Sequence, residues 1–268
     1  MASTLSATLL KTKLTIHGEE HSNIDNAYYE ALPLTGLLFV EHSNNASEIK
    51  PSEEHLFKKY AKGSEWVFYT QKKRGNPNVI CFDTRSEQGY LNAFEARQLL
   101  ETADKLAEGK PADIRFFIDN VMKSLNALDA NKHVFNQEYY EKSFDILEGQ
   151  LKAVMKLLKI RKEKGITTTV LGMPLKDLLP GLAYSLACNL QRIASVGVDM
   201  GLMRALLEFA KKNTQEIQIF CGKNHLIRMT KFLPLKNLKI SGITQSNIDD
   251  ADINMNGDPD IDKQILLL

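Results

Sequence analysis

The amino-acid sequence predicts an α/β fold in which a mostly parallel central sheet is flanked by helices. The clearest observation is the apolar run TGLLFVE over residues 35–41, which indicates a strand buried on both faces, as in parallel sheets. A second is the strand, helix, strand order at the start of the chain. A third is the helical pattern in the middle of the chain, which predicts a helical insertion over residues 92–165.

The first elements follow from local patterns in chain order. A short strand is predicted over residues 13–17, and a helix over 22–32 begins with Ser22 or Asn23 as its cap. After the strand at 35–41, a second capped helix is predicted over residues 52–62. Strands follow over 65–70 and 79–83, where aromatic and β-branched residues are frequent and the turn KKRGNPN lies between them.

The later elements are mostly helical. Residues 137–164 carry apolar residues at alternating spacings of four and three, which is typical of a helix with one face in the core. The other elements predicted in this part are helices over 92–108, 112–128, 174–195, 198–212 and 225–232, and strands over 216–221 and 235–243. Residues 1–244 are therefore expected to form a single α/β domain. Residues 245–268 are rich in Asp and Asn, which predicts a flexible acidic tail.

Composition narrows the class of partner. The 268 residues include 34 Lys and Arg against 33 Asp and Glu, a balance that does not favour nucleic-acid binding. No apolar run is long enough for a membrane span, and no secretory signal is recognisable. We expect a cytoplasmic protein, with export by a signal-less route also compatible. Its expected partner is a small-molecule or peptide substrate.

Two motifs of the form GxxH occur far apart in the chain, in HGEEH and in CGKNHL. Each places Gly directly after a predicted strand and His three residues later, at His21 and at His225. Gly permits a sharp turn, and open α/β sheets bind ligands beyond the carboxyl ends of their strands. Imidazoles bind divalent metals and act as acids or bases near neutral pH. His17 and His42 lie near the same strand ends but lack the glycine spacing.

Charged residues at strand ends extend this candidate site. Glu41 and Asp83 each end a predicted buried strand, where a charge is costly unless it is paired or binds a metal. Arg85 is placed to neutralise a carboxylate or an anionic substrate. Asp199, at the start of a predicted helix, either belongs to the site or stabilises the helix N-terminus.

These motifs resemble the superfamily that unites erythromycin esterases, ChaN-like proteins and TraB/Tiki-type proteases. The matching residues are Gly18, Glu19 and His21 for an N-terminal GExH element, Glu41 for a strand-end glutamate, and Gly222 and His225 for a C-terminal GxxH element. The segment VDMGLMRALLE resembles the helix that precedes the last core strand, which implies that Asp199 faces the site. Members of the superfamily hydrolyse esters, cleave peptides with a metal, or bind haem.

The resemblance supports the fold and the site more than the reaction, and the leading hypothesis is a hydrolase of ester or amide bonds. The expected catalytic residues are Glu19, His21, Glu41 and His225. The expected substrate-binding residues are Asp83 and Arg85, from their position at a strand end, and Asp199. In a metal-assisted version, His21, Glu41 and His225 bind manganese, cobalt, iron or zinc. In a metal-free version, His21 is the general base, Glu41 orients it, and His225 stabilises the oxyanion.

Two alternatives from other classes stay open. One is a non-catalytic binding protein that holds a ligand such as haem in the same pocket. The other is a secreted effector or interaction protein that docks through the helices of residues 92–165, for which an exposed apolar patch would be the signature.

Overall fold

A computed structural model describes residues 3–20, 26–43, 63–73, 75–85, 87–91, 93–213, 215–243 and 264–267. Two compact units are formed, one from residues 1–84 with 198–252 and the other from residues 85–197 with 253–268. The described strands are β1 Ser3–Leu9, β2 Thr12–Glu19, β3 Leu37–Ser43, β4 Val79–Asp83, β5 Thr169–Val170, β6 Met173–Pro174, β7 Ile217–Gly222 and β8 Leu235–Ser241. The described α-helices are α1 Asn26–Glu30, α2 Ser64–Lys73, α3 Ala93–Lys105, α4 Pro111–Ala130, α5 Gln137–Lys164, α6 Leu175–Lys212 and α7 Lys223–Phe232.

The first unit is built on a six-stranded sheet with the order β4-β3-β7-β2-β1-β8. The four strands from β4 to β2 are parallel neighbours, whereas β1 runs antiparallel to both β2 and β8. The predicted α/β class and the mostly parallel sheet are therefore confirmed. The boundaries predicted for the helical insertion and for a single domain stay predictions.

Strand β7 lies between β2 and β3 and is buried at all six of its positions. Phe220 pairs with His17 on one side and with Val40 on the other. The carboxyl ends of β2, β3 and β7 therefore meet at one edge of the sheet. Glu19, Glu41 and Gly222 are the residues that the strands bring to this edge.

Each face of the sheet has its own apolar core. On one face, α7 and the part of α6 from Val198 onward pack over the sheet residues Leu14, Ile16, Phe39, Ile219 and Cys221. On the other face, α1 and α2 cover Leu38, Val40 and Phe220 with Tyr29, Val67 and Phe68. Because side chains alternate along a strand, neighbouring residues at the strand ends belong to different faces.

The second unit is helical, with β5 and β6 as a two-stranded ribbon. Helix α5 spans the residues predicted for it, and the Asn136 side chain caps it by accepting a hydrogen bond from the Tyr139 amide. Its buried residues include Tyr140, Leu147 and Val154 of the predicted apolar stripe.

Two predicted elements are wrong in type or extent. Residues 65–70, predicted as a strand, lie in helix α2, whose Val67 and Phe68 enter the core. The two helices predicted over 174–195 and 198–212 are one helix, α6. Gly197 does not break it: the glycine makes room for Phe135, whose Cζ would lie 2.8 Å from a Cβ at that position.

The sequence reading also missed strand β1, whose side chains alternate between buried and half-buried positions. Residues 22–25 of the first predicted helix, the helix predicted over 52–62, and most of the predicted tail lie outside the described residues. Within the tail, Ile265 is fully buried and Leu267 is 87% exposed. In the part of the chain that the structure describes, no helix is both long and apolar enough to cross a membrane.

Candidate active site

One buried polar cluster forms where β3 and β7 end. Glu41 is near the end of β3, His225 lies in the first turn of α7, and Asp199 lies on α6. The Nε2 atom of His225 is 3.1 Å from Glu41 Oε1, and its Nδ1 atom is hydrogen-bonded to Asp199 Oδ1. His225 is 7% exposed and Asp199 is 1% exposed, so the imidazole is held between two carboxylates largely away from solvent.

The start of helix α7 positions Glu41. Gly222 is the N-cap residue of α7, and its amide donates a hydrogen bond of 2.6 Å to Glu41 Oε2. An amide at a helix N-terminus has no partner inside the helix, and the helix dipole favours a negative charge there. The same turn brings His225 back toward Glu41, which explains why the GKNH segment joins the end of β3.

Arg228 is a member of this cluster that the sequence reading missed. Its Nε donates to Asp199 Oδ2, and its Nη2 lies 3.3 Å from His225 Nδ1. Arg228 follows His225 by three residues on α7, so both side chains lie on one helix face. An arginine on the buried face of a short predicted helix was the available signal, because a buried guanidinium needs a carboxylate partner.

The charges of the cluster explain the state of the imidazole. Burial alone would lower the pKa of His225, but the carboxylates of Asp199 and Glu41 outweigh it and raise this pKa to about 10. At neutral pH the imidazole is therefore protonated. The positive charges of His225 and Arg228 then balance the two carboxylates.

Neither glycine of the two GxxH motifs has the positive φ that would require a glycine at a turn. Gly18 lies inside β2, opposite Cys221, and a Cβ there would be 2.9 Å from Leu226 Cδ1 on α7. Gly222 has a φ of −62°, which any residue can adopt. The expectation that Gly18 follows its strand is therefore wrong, whereas the chain does pass from β7 into α7 at Gly222, in a conformation that does not require glycine.

An ion pair joins the two motifs at the sheet edge. Lys223, which follows Gly222, lies with its Nζ 2.8 Å from Glu20 Oε1, directly after β2. The hydrogen bond from Lys223 lowers the pKa of the Glu20 carboxyl.

Glu19 lies on the opposite face of the sheet from Glu41. His17 and Val40 both pair with Phe220 and share a face. Glu19 is two residues after His17 and keeps that face, whereas Glu41 is one residue after Val40 and lies on the other. Its Oε2 accepts hydrogen bonds from the Tyr29 hydroxyl at 3.1 Å and the Ser64 amide at 2.9 Å. Its Oε1 accepts one from the Ser64 hydroxyl at 3.0 Å. The carboxylate thus binds the N-terminus of α2.

Gly63, just before α2, makes this arrangement possible. It has a φ of +58°, and a side chain at that position would collide with the Glu19 carboxylate.

The remaining histidines near the strand ends also lie on the α1 and α2 side. His17 is buried, stacks on Phe220 with ring centroids 4.7 Å apart, and has its Nδ1 2.8 Å from the Tyr28 hydroxyl. Burial lowers the pKa of His17 to about 4, so this ring is neutral at pH 7. His42 stacks on Phe68 at 4.3 Å.

Two further predicted residues, Asp83 and Arg85, lie at the end of β4 and two residues beyond it. Phe82, next to Asp83, packs edge-on against His225 with centroids 6.3 Å apart. By strand alternation Asp83 therefore points to the opposite face. Arg85 belongs to the second unit, where its backbone carbonyl oxygen accepts a hydrogen bond from the Tyr90 amide. His21 lies outside the described residues. Among the described residues, no three His, Cys, Asp or Glu side chains form a group able to hold a metal ion.

No family model, no curated protein and no solved structure matches this chain. The resemblance to the erythromycin esterase, ChaN-like and TraB/Tiki superfamily therefore stays a prediction that depends on a few motif residues. What the protein does is inferred from the chemistry of the cluster itself.

Proposed function

We propose that this protein is a hydrolase of ester or amide bonds, with Glu41, His225 and Asp199 as its reactive centre. The observation that carries the proposal is the imidazole of His225, which two carboxylates hold at the carboxyl ends of parallel strands. Open α/β proteins bind ligands at this edge. A buried histidine whose pKa is shifted by specific charged partners is also a frequent mark of a functional site.

The protonated imidazole supplies a positioned positive charge. His225 is not a general base at neutral pH, because its pKa is about 10. It instead supplies a fixed positive charge beside Glu41, and this charge stabilises the negative charge that develops on a carbonyl oxygen during hydrolysis. Asp199 holds the opposite nitrogen and so fixes the orientation of the ring. In this version His21 is the predicted base that activates water.

The side-chain exposures indicate the direction of approach. The Glu41 side chain is 12% exposed, whereas that of Asp199 is 1% exposed. We therefore propose that substrate reaches the cluster from the side of Glu41 and Nε2. The carboxylate of Glu41 then lies next to the reacting bond.

Two residues of the cluster also fit a metal-assisted version. The 3.1 Å between His225 Nε2 and Glu41 Oε1 matches the about 3.0–3.4 Å expected between two adjacent ligands that each bind one ion at about 2.1 Å. Asp199 on Nδ1 is the carboxylate partner that metal-binding histidines commonly have. His21 is the third ligand predicted from the sequence. When bound, a divalent ion lowers the pKa of its water toward about 7 and polarises the carbonyl.

The test combines metal analysis with hydrolysis assays. Wild type, Glu41→Gln and His225→Gln are purified without chelator, their metal content is measured, and they are assayed with p-nitrophenyl butyrate and a set of peptide p-nitroanilides. His133→Gln is the matched control, because His133 is an exposed histidine of the second unit. Circular dichroism checks that each variant is folded.

We expect hydrolysis by the wild type and the control, and a loss of about 100-fold or more in both cluster variants, as found when a transition-state charge stabiliser is removed. A stoichiometric metal lost in both variants selects the metal-assisted version, and activity without metal selects the other. No hydrolysis of any probe, with or without added manganese, cobalt, iron or zinc, overturns the proposal. A co-purifying haem with a Soret band that depends on His225 would favour the non-catalytic alternative.

A further inference from the structure

Arg228 and His225 converge on the same carboxylate. Both side chains extend from α7, three residues apart, toward Asp199 on α6. Arg228 Nε donates a hydrogen bond to Oδ2 of that carboxylate, and His225 Nδ1 is hydrogen-bonded to Oδ1. All three residues are buried: Arg228 is 6% exposed, His225 is 7% exposed and Asp199 is 1% exposed. Each oxygen of Asp199 thus has one charged partner.

The guanidinium suits this task better than an ammonium would. Its donors are fixed in one plane, so Nε holds Oδ2 while Nη2 stays 3.3 Å from His225 Nδ1. A carboxylate with a single partner can rotate and change which oxygen it presents. With Arg228 on Oδ2, the plane of the Asp199 carboxylate is fixed and Oδ1 faces the imidazole.

We propose that Arg228 is a positioning residue of the reactive centre: it fixes the Asp199 carboxylate, which in turn holds His225 with Nε2 directed at Glu41. The inference rests on the proposed function for its catalytic consequence, although the geometric part is independent of it. Arg228 does not touch the reacting atoms in this scheme. Its effect reaches them through Asp199 and the ring of His225.

The first measurement uses the unmodified protein. In a ¹⁵N-labelled sample, the Nε–H proton of Arg228 is expected to exchange slowly and to show a nuclear Overhauser contact with the Nδ1–H proton of His225. That Nδ1–H proton is expected at low field, because it is bonded to a carboxylate. If the contact and the slow exchange are both absent, the proposal is overturned without any variant.

The second measurement compares Arg228→Lys and Arg228→Ala with Arg204→Lys, an exposed arginine of α6. We expect Arg228→Lys to lower kcat for p-nitrophenyl butyrate by about 10- to 100-fold, the usual range for a residue that orients a site residue. KM should stay close to that of the wild type. The low-field resonance of His225 should shift or broaden, and Arg204→Lys should change neither quantity.

Chemical rescue separates positioning from a merely structural role. Guanidinium at low concentration should restore part of the activity and the low-field resonance of Arg228→Ala, whereas urea should restore neither. A resonance and kcat unchanged in both Arg228 variants overturn the proposal. If the wild type hydrolyses no probe but the resonance depends on Arg228, the proposed hydrolase function fails while the positioning by Arg228 stands.

Discussion

The pairing of His225 with two carboxylates predicts that the protein loses stability in alkaline solution. The pKa of this imidazole is 6.5 in its ordinary state and about 10 in the folded protein. A group whose pKa rises on folding stabilises the fold fully below its unfolded pKa. That contribution is lost as the pH rises from 6.5 through about 10. The substitution His225→Gln removes it.

The magnitude follows from the two pKa values. Each pKa unit corresponds to about 1.4 kcal/mol, so the full contribution is about 5 kcal/mol. The free energy of unfolding of a typical domain is about 5–15 kcal/mol, which makes this one interaction a large part of the total. Between pH 7 and pH 9, the wild type should lose about 2.5 kcal/mol more than His225→Gln does.

Urea denaturation at a series of pH values from 6 to 9 measures this difference directly. The variant is expected to be less stable at pH 7, because it leaves buried carboxylates without the imidazolium, but its stability should change less with pH. Glu41→Gln removes one of the two charges that raise the folded-state pKa of His225, so the decline should still begin near pH 6.5 but should be smaller and end at a lower pH than in the wild type. His133→Gln should follow the wild type. Parallel curves for the wild type and His225→Gln would refute the reasoning.

Three further predictions concern the residues around the cluster. Burial lowers the pKa of His17 to about 4, so the unfolded chain binds a proton at His17 before the folded protein does, and up to about 3 kcal/mol of stability should be lost as the pH falls from 6.5 to 4. His17→Gln should reduce this loss in urea denaturation, and an unchanged dependence on pH would contradict the prediction. Gly18→Ala should destabilise by about 1–3 kcal/mol through its contact with Leu226, whereas Gly149→Ala, where a Cβ meets no atom, should stabilise by about 0.5–1 kcal/mol; equal thermal shifts would refute the packing role. Glu19→Gln should lower stability by about 1–2 kcal/mol by weakening the cap of α2; lost hydrolysis with unchanged stability would instead assign Glu19 to the chemistry.

The parallel strands could be predicted because buried strands are short apolar runs that end at polar residues. Glu41 was identified in this way, since a charge directly after an apolar run needs a reason. His225 was identified from the glycine three residues earlier, although the φ of that glycine is one that any residue can adopt. Local patterns of strands and turns thus locate the end of a strand, but they do not say which face of the sheet each side chain joins.

The missed features depend on contacts between distant segments. Residues 65–70 contain Trp66, Val67 and Phe68, which favour strands locally, yet Glu19 holds the N-terminus of a helix there from 45 positions earlier. Arg228 pairs with a carboxylate 29 positions away on another helix. Such pairings are decided by how the elements pack, and neither local propensity nor periodicity contains that information.

The central position of β7 has a consequence for the order in which the molecule forms. Glu41 and His225 are 184 residues apart in the chain, and the strand that joins β2 to β3 is made only after both of them and after the long helices. On the ribosome, the pairs β1 with β2 and β3 with β4 can therefore form early, but each waits with an unpaired apolar edge for β7. Long-range pairing of this kind slows folding and prolongs exposure to aggregation. A chain released before β7 is made would lack the strand that connects the two halves of the sheet, and it would lack His225 of the reactive centre.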